Sequence, residues 1–276
     1  MKLAEFIGFV RENYLPNRHD ALELASKAFN IEYSKVPLHL SDDVTVSEDI
    51  QKMLDRLGQG EPLAYVINNK SFYGLDMYVD GRVLIPRPET ELIVSEVLQH
   101  FHGHRSLKNR SLKILDICTG SGCIPAAILH EMPDWTADVL DISADALAVA
   151  DINLNRYAAG RYRLIQGDAL RLAEHVCGKY DIITCNPPYL TEDEWEASPK
   201  SLKYEPKNAL SDGGDGLLFY KKLLDMIPDL CHINGVALFE LGQGQSAIVT
   251  AWQERYNFKK IKDYQGIERV LAWTNL

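Results

Sequence analysis

The block Asn186-Pro-Pro-Tyr189 could hold and activate a planar nitrogen group. The lone pair of an amide or aniline-like nitrogen is delocalised, so such a nitrogen is a poor nucleophile. The side-chain oxygen of Asn186 can accept one of its N–H groups, and the carbonyl of Pro187, held rigid by Pro188, can accept the other. Tyr189 offers an aromatic face for stacking on the planar group. The alternative is a rigid turn that carries a surface tyrosine.

A second block, Asp116-Ile-Cys-Thr-Gly-Ser-Gly122, has two glycines that let a backbone turn sharply and approach a ligand closely. The third glycine of a dinucleotide-binding loop is missing, because Pro125 and Ala126 stand there instead. The Gly-Lys-Ser/Thr sequence of a phosphate loop is absent as well. The loop therefore favours a ligand without phosphates.

Two aspartates extend this site. Asp141 lies about 20 residues after Gly122, where a carboxylate can accept hydrogen bonds from a ribose diol. Asp168 follows the next predicted strand and could meet an adenine amino group. The ordered set predicts an adenosyl ligand. The alternative is that each aspartate only caps a helix.

Strand and helix patterns alternate from residue 112 onward and must position these blocks. Proline cannot continue a central strand, so one strand has to end just before Asn186. Such alternation predicts a mostly parallel sheet with helices on both faces, and ligands bind beyond the carboxyl ends of its strands. We expect strands at 113–117, 137–142, 162–166, 181–185, 235–241, 258–263 and 269–273, and helices at 123–132, 144–158, 215–231 and 244–256.

The N-terminal part of the chain has a different pattern. Leu3, Phe6, Ile7 and Val10 repeat at helical spacing, so residues 1–63 are expected to form a small helical domain. Residues 64–85 are rich in Tyr, Phe and Val and are interrupted by turn residues, which predicts a β-hairpin linker. We expect the catalytic domain to span residues 86–276.

The composition of the chain argues against several classes of function. The chain has 276 residues and a formal net charge of −10, and no Lys/Arg run exceeds a pair, which argues against a protein that grips nucleic acid phosphates. The five cysteines are an odd number without a Cys-x-x-Cys pair, so we expect buried, reduced thiols in a cytoplasmic protein. His100, His102 and His104 fit a solvated helix end, and no metal site is expected.

Beyond these blocks, the chain resembles the release factor glutamine methyltransferase family, within the class I adenosylmethionine methyltransferases that carry Asn-Pro-Pro-Tyr. The resemblance covers roughly residues 58–273 and departs at Cys118, where many members have glycine. Besides the two blocks quoted above, it is carried by Gly60-Glu-Pro-Leu-Ala-Tyr65, Leu84-Ile-Pro-Arg-Pro-Glu-Thr90, Tyr204-Glu-Pro-Lys-Asn-Ala-Leu210, Gly213-Gly-Asp-Gly-Leu217 and Phe239-Glu-Leu-Gly242.

The resemblance implies an α/β fold, with a seven-stranded Rossmann-like methyltransferase domain behind a helical domain and a hairpin linker. It implies that Asn186 through Tyr189 (Asn186, Pro187, Pro188, Tyr189) are catalytic and hold the acceptor amide, in a pocket shaped by Arg87 and Glu89. The residues implied to bind S-adenosylmethionine, released as S-adenosylhomocysteine, are Asp116, Cys118, Thr119, Gly120, Ser121, Gly122, Asp141, Asp168, Ala169 and Asn186.

The implied substrate is the glutamine of the Gly-Gly-Gln motif in class 1 peptide chain release factors. We expect a monomer that acts in the cytoplasm, with no stable nucleic acid or membrane partner, whose helical domain contacts the substrate protein. An adenine-N6 nucleic-acid methyltransferase is the alternative, because Asn-Pro-Pro-Tyr chemistry also suits an adenine amino group. A non-catalytic adenosylmethionine-binding protein is a third possibility, which the intact Asn186 argues against.

Overall fold

The computed structural model describes residues 1–102, 111–245 and 258–275. The helix predicted for residues 244–256 lies largely outside the described residues, and so does His104. The chain forms two compact units. The smaller unit comprises Met1–Asn69 together with Lys200–Tyr204, and the larger comprises Lys70–Pro199 and Glu205–Leu276.

The smaller unit contains helices α1 (Leu3–Asn13), α2 (Arg18–Ala28), α3 (Glu48–Gly58) and the short α4 (Leu63–Val66). The positions predicted from helical spacing in α1, namely Leu3, Phe6, Ile7 and Val10, are all buried, together with apolar residues of the other helices. Helix α3 begins at an N-cap, because the Ser47 hydroxyl oxygen accepts a hydrogen bond from the Ile50 amide at 3.3 Å.

A β-ribbon opens the larger unit and is shorter than the predicted hairpin over residues 64–85. Strands β1 (Lys70–Phe72) and β2 (Leu75–Met77) pair antiparallel around Tyr73 and Gly74, whose φ angles are 50° and 75°. Positive φ at both central residues fits the tight turn that joins twisted strands. The predicted span began too early, because Leu63–Val66 form one helical turn instead.

The rest of the larger unit alternates strands with helices, as predicted. Its helices are α5 (Glu91–His102), α6 (Cys123–Glu131), α7 (Ala144–Ala158), α8 (Glu192–Glu196) and α9 (Leu218–Leu230). Its strands are β3 (Lys113–Ile117), β4 (Thr136–Asp141), β5 (Tyr162–Gln166), β6 (Tyr180–Cys185), β7 (Cys231–Glu240), β8 (Lys259–Lys262) and β9 (Glu268–Thr274).

These strands form one seven-stranded sheet in the order β5-β4-β3-β6-β7-β9-β8. Strands β3 to β7 run parallel to one another, and β9 runs antiparallel to both β7 and β8. The chain moves outward from β3 to β5 and then returns to β6 on the other side of β3, which creates a switch point. Ile117 pairs with Cys185 there, so the glycine loop and the Asn186 block leave the sheet side by side.

Burial follows the predicted layers. Strand β3 is buried along Ile114–Ile117, as expected for a central parallel strand covered on both faces. None of the helices in the described part of the chain is long and apolar enough to cross a membrane. All five cysteines are free thiols, but the expectation that all are buried is wrong for Cys177, which is exposed, and for Cys118, which is half-buried.

Candidate active site

The glycine loop turns sharply because alternate residues adopt positive φ. Cys118, Gly120 and Gly122 have φ angles of 58°, 53° and 74°. This conformation is strained for Cys118, which stands where many members of the resembled family have glycine. A Cβ on Gly122 would lie 3.1 Å from the Cβ of Ala150 in α7, so glycine also permits close helix packing here.

Asp141 supports the loop instead of capping a helix. Its carboxylate accepts hydrogen bonds from the amides of Gly120 at 2.9 Å and Ser143 at 3.0 Å. Ser143 is the N-cap of α7, so the capping alternative does not hold for Asp141. Asp168 does cap a helix, because its carboxylate accepts from the Leu170 amide at 2.9 Å at the start of a 3-10 helix, but it also lines the cleft described below.

Asn153 ties the loop to the β-ribbon and is fully buried. Its amide nitrogen donates to the carbonyls of Ser121 at 2.8 Å and Tyr78 at 3.0 Å, and its oxygen accepts from the Tyr78 amide at 2.8 Å. Asn153 therefore satisfies three backbone groups at once and holds the loop in place.

A hydrogen-bond chain fixes the side chains of the Asn186 block. The Asn186 amide nitrogen donates to the Thr90 hydroxyl at 3.2 Å, and that hydroxyl donates to the Glu240 carboxylate at 2.6 Å. The Tyr189 hydroxyl donates to the other oxygen of Glu240 at 3.2 Å. Thr90 and Glu240 are both only 2% exposed.

The backbone around Tyr189 is held just as firmly. Its amide donates to the Leu210 carbonyl at 3.1 Å, and its carbonyl accepts from the Gln245 side chain at 2.8 Å. A Cβ on Gly216 would lie 2.3 Å from the Tyr189 carbonyl oxygen, and one on Gly242 would lie 2.9 Å from the Tyr189 ring. Only glycine allows this approach at the two positions.

Arg87 is oriented by a buried acid. Its guanidinium forms an ion pair with Glu205 at 2.6 Å, and Glu205 also accepts a hydrogen bond from the Ile85 amide at 2.9 Å. The Glu205 side chain is 3% exposed, so the pair is shielded from solvent on that side. Glu205 thereby fixes the path of the chain into the predicted acceptor pocket.

One cleft brings the two predicted sites together. Its empty space amounts to about 870 Å³, including space open to solvent. Segment 190–214, predicted as a wall of the cleft, contributes Pro206, Asn208 and Ala209. The predicted site residues that line the cleft are Arg87, Cys118, Thr119, Gly120, Ser121, Asp141, Asp168, Ala169, Asn186 and Pro188.

Five predicted residues do not line the cleft. Asp116 is buried inside β3, and Gly122 packs against α7. Pro187 is buried, while Tyr189 and Glu89 are half-buried outside the lining.

The floor of the site is acidic and shielded from water. Burial raises the pKa of Asp116 to about 7, and the nearby charge of Asp141 adds to the effect. Burial likewise raises the pKa of Glu240 to about 7, with Glu89 adding to it. The pKa of Asp141 is also raised by burial. Such a floor favours a positively charged ligand, because cations stabilise the ionised carboxylates.

The side chains of the site fit S-adenosylmethionine. Two buried oxygens, Oδ2 of Asp116 and Oγ1 of Thr119, have no well-formed hydrogen bond within the described part of the chain, although the Thr119 hydroxyl lies close enough to Asp116 to lower its pKa. An ammonium group could donate to both oxygens. The two arginines that line the cleft are engaged, Arg82 by Asp80 at 2.7 Å and Arg87 by Glu205. The donor set therefore suits a cationic, phosphate-free ligand.

Sequence reasoning missed the residues that support the site: Thr90, Asn153, Glu205, Glu240 and Gln245. Three of them stand inside blocks that carry the family resemblance, because Thr90, Glu205 and Glu240 belong to the blocks starting at Leu84, Tyr204 and Phe239. Their position inside these blocks was the sequence signal that could have identified them. Asn153 and Gln245 carry no such signal, because a lone amide in a helical or turn pattern is usually a surface residue.

Comparisons with known proteins agree with this arrangement. The family model for the methyltransferase small domain matches residues 94–233. The chain is 32% identical to a release factor glutamine methyltransferase from Thermodesulfovibrio yellowstonii, covering 98% of this chain and 97% of that protein. It is 36% identical to one from Bacillus subtilis, covering 78% and 75% of the two chains.

Solved structures support the fold. A methyltransferase from Pyrococcus furiosus matches with a TM-score of 0.53 at 19% identity, covering 82% of this chain and 98% of that one. The N-terminal domain of human METTL16 in complex with SAH matches with a TM-score of 0.52 at 19% identity, covering 74% and 77%. At these identities the matches concern the fold alone.

Proposed function

Since the chain belongs to the release factor glutamine methyltransferase family, we propose that it methylates the side-chain amide nitrogen of a glutamine in a peptide chain release factor. The methyl donor is S-adenosylmethionine. The observation that carries the proposal is the shared cleft, which Asn186 and Pro188 line together with the glycine loop, Asp141 and Asp168. The relatives covered over most of their length bear the same name, which supports the glutamine substrate.

The cofactor site is assigned from the lining of the cleft. S-adenosylmethionine supplies an electrophilic methyl group on a sulfonium when it is bound. Asp141 retains acceptor capacity for a ribose diol beyond its two backbone hydrogen bonds. Asp168 and Ala169 take the adenine side, while Thr119 in the cleft lining and the buried Asp116 beside it are proposed to accept from an ammonium group.

The acceptor site works by position and local electrostatics. The Asn186 oxygen accepts one N–H of the glutamine amide, and the Pro187 carbonyl accepts the other. These two acceptors turn the nitrogen lone pair toward the reacting carbon, and their partial negative charge stabilises the positive charge that develops on nitrogen. Tyr189 supports this turn by its hydroxyl and its backbone. No strong general base is required, since the methylated nitrogen becomes acidic and can lose its proton to water.

The substrate is the glutamine of the Gly-Gly-Gln motif, as the family resemblance implies. A single glutamine offers little surface, so the helical unit at residues 1–69 is proposed to contact the release factor. The net charge of −10 disfavours an adenine-N6 nucleic-acid substrate. Five free thiols support a location in the reducing cytoplasm.

A methyl-transfer assay with radiolabelled S-adenosylmethionine tests the proposal. It offers a purified release factor, its Gln→Ala variant in Gly-Gly-Gln, and adenine-containing DNA and RNA in parallel. We expect label on the intact release factor alone. Label on the Gln→Ala variant would disprove the glutamine assignment, and label on nucleic acid alone would assign the chain to adenine methylation.

A further inference from the structure

We propose that Thr90 and Glu240 are positioning residues that fix the Asn186 amide with its oxygen toward the acceptor nitrogen. The proposal rests on the function proposed above. It concerns the hydrogen-bond chain Asn186–Thr90–Glu240, in which neither Thr90 nor Glu240 was assigned a role from the sequence.

The donor-to-acceptor direction of the hydrogen bonds from Asn186 through Thr90 to Glu240 follows from the number of protons available. In its ionised form Glu240 is an acceptor-only carboxylate, and it receives two hydroxyl donors, Thr90 at 2.6 Å and Tyr189 at 3.2 Å. A hydroxyl has one proton, so when Thr90 donates to Glu240 its oxygen can only accept. Asn186 must then present its NH₂ group to Thr90, at 3.2 Å.

This arrangement decides which end of the Asn186 amide is free. With the nitrogen engaged by Thr90, the oxygen of the same amide is left for the acceptor, and Asn186 lines the cleft. The flipped amide would set its oxygen against an oxygen that has no proton to offer. It would also direct an NH₂ group at the N–H donors of the acceptor amide. Both changes remove catalytic hydrogen bonds.

Their burial indicates that Thr90 and Glu240 act on the acceptor through Asn186. Thr90 borders the cleft but is only 2% exposed, with its hydroxyl shared between Asn186 and Glu240. Glu240 is 2% exposed and does not line the cleft. A buried carboxylate without a cationic partner costs stability, and an apolar residue at the end of a strand would avoid that cost. An ionisable group retained there calls for a role beyond packing.

The closing experiment compares Thr90→Val with Thr90→Ser in the release factor assay, with the wild type alongside. Valine has nearly the shape of threonine without its hydroxyl, whereas serine keeps the hydroxyl. We expect Thr90→Val to lower kcat about 10- to 100-fold, since one oriented hydrogen bond in a catalytic site is lost. Thr90→Ser should restore most of that loss, and KM for the release factor should change less than threefold in both.

Binding of S-adenosylhomocysteine, measured by calorimetry, separates positioning from a folding defect, because both variants should bind it within about threefold of wild type. Equal kcat for Thr90→Val and wild type would overturn the proposal while the proposed function stands. An inactive wild type would overturn the proposed function and the positioning role with it.

A second pair keeps the test independent of Thr90. Glu240→Gln retains an oxygen that can accept from Thr90, and Glu240→Leu does not. We expect the glutamine variant to retain at least about tenfold more kcat than the leucine variant, with both still binding S-adenosylhomocysteine. Equal loss in the two variants would contradict a role in orienting Asn186 through an acceptor oxygen.

Discussion

Replacing Asp116 by asparagine should make the protein more resistant to alkaline pH and weaken its cofactor binding. Asp116 is 1% exposed, and its Oδ1 accepts a hydrogen bond from the Thr184 hydroxyl at 2.6 Å. Its Oδ2 and the neighbouring Thr119 hydroxyl have no well-formed hydrogen bond among the described residues, although Thr119 lies close enough to lower the pKa of Asp116. Burial, with the charge of Asp141 adding to it, raises the pKa of Asp116 from 3.8 to about 7.

Proton binding determines whether stability rises or falls with pH. Between the unfolded and the folded pKa the folded protein binds more protons than the unfolded chain, so stability falls as pH rises through this window. From pH 5 to pH 8 the loss attributable to Asp116 extends over about two pH units, or about 2–3 kcal/mol. Asparagine does not titrate, so the variant escapes that loss. The stability difference between Asp116→Asn and wild type should therefore grow by this amount from pH 5 to pH 8.

The affinity of the wild type for its cofactor product should rise with pH, whereas its stability falls. An ammonium group beside Oδ2 stabilises the ionised carboxylate, so the affinity of the wild type for S-adenosylhomocysteine should rise about tenfold from pH 6 to pH 8. In Asp116→Asn this affinity should be lower and nearly independent of pH. Urea unfolding at both ends of the range and calorimetry provide the two measurements. Parallel stability curves for the two proteins, or an unchanged pH dependence of binding, would refute the reasoning.

Three further predictions concern the acceptor turn and the loop. Asn186→Ala should lower kcat about 100-fold or more on the release factor while changing affinity for S-adenosylhomocysteine far less, and a proportionate loss of both would contradict the acceptor role. Gly216→Ala should destabilise the protein by about 2–4 kcal/mol, since the new Cβ would clash with the Tyr189 carbonyl at positive φ, as urea unfolding can measure. Gly213→Ala, at the same φ of 74° but in open space, is the matched control and should cost about 1 kcal/mol. Asn153→Ala should cost about 2–4 kcal/mol and weaken cofactor binding, because it strips three backbone groups of their partner; unchanged binding would show that the loop holds without it.

The main features of the sheet could be predicted because each strand is a short apolar segment bounded by turn residues. Predicted strands 113–117 and 162–166 match β3 and β5 residue for residue, and the final predicted pair, 258–263 and 269–273, corresponds to β8 and β9. The hairpin was the exception. Tyr and Val suit a strand, but the local hydrogen bonds of Leu63–Val66 outweigh that preference.

The site was predictable where a single residue carries the chemistry. Asn186 and the glycine loop stand at strand ends, and such ends gather at one edge of a parallel sheet. The supporting contacts were not predictable, because they join residues of different elements that are far apart in the sequence, such as Thr90 with Asn186 and with Glu240. Periodicity reports which face of an element is buried, but it does not say which buried polar groups meet.

Those long-range contacts explain why the separate blocks of the family resemblance occur together. Thr90 belongs to the block that starts at Leu84, Leu210 to the one at Tyr204, Gly216 to the one at Gly213 and Glu240 to the one at Phe239. All four meet the segment from Asn186 to Tyr189. A turn that must hold two acceptors within hydrogen-bond distance of a small amide tolerates little movement. The blocks therefore act as one structural support for a four-residue turn.

A comparison of the buried acids in the larger unit distinguishes a carboxylate buried for stability from carboxylates buried for function. Asp138 is 3% exposed and forms ion pairs with Arg163 at 2.7 Å and Lys113 at 2.8 Å. Burial alone would raise the pKa of Asp138, but the hydrogen bonds from these partners lower it. Asp116 and Glu240 are buried as deeply without an ion pair to any described residue, and the pKa of each is raised to about 7. A fold selected for stability alone would have paired or replaced them, so their unmet charge is best explained by what the cleft binds and orients.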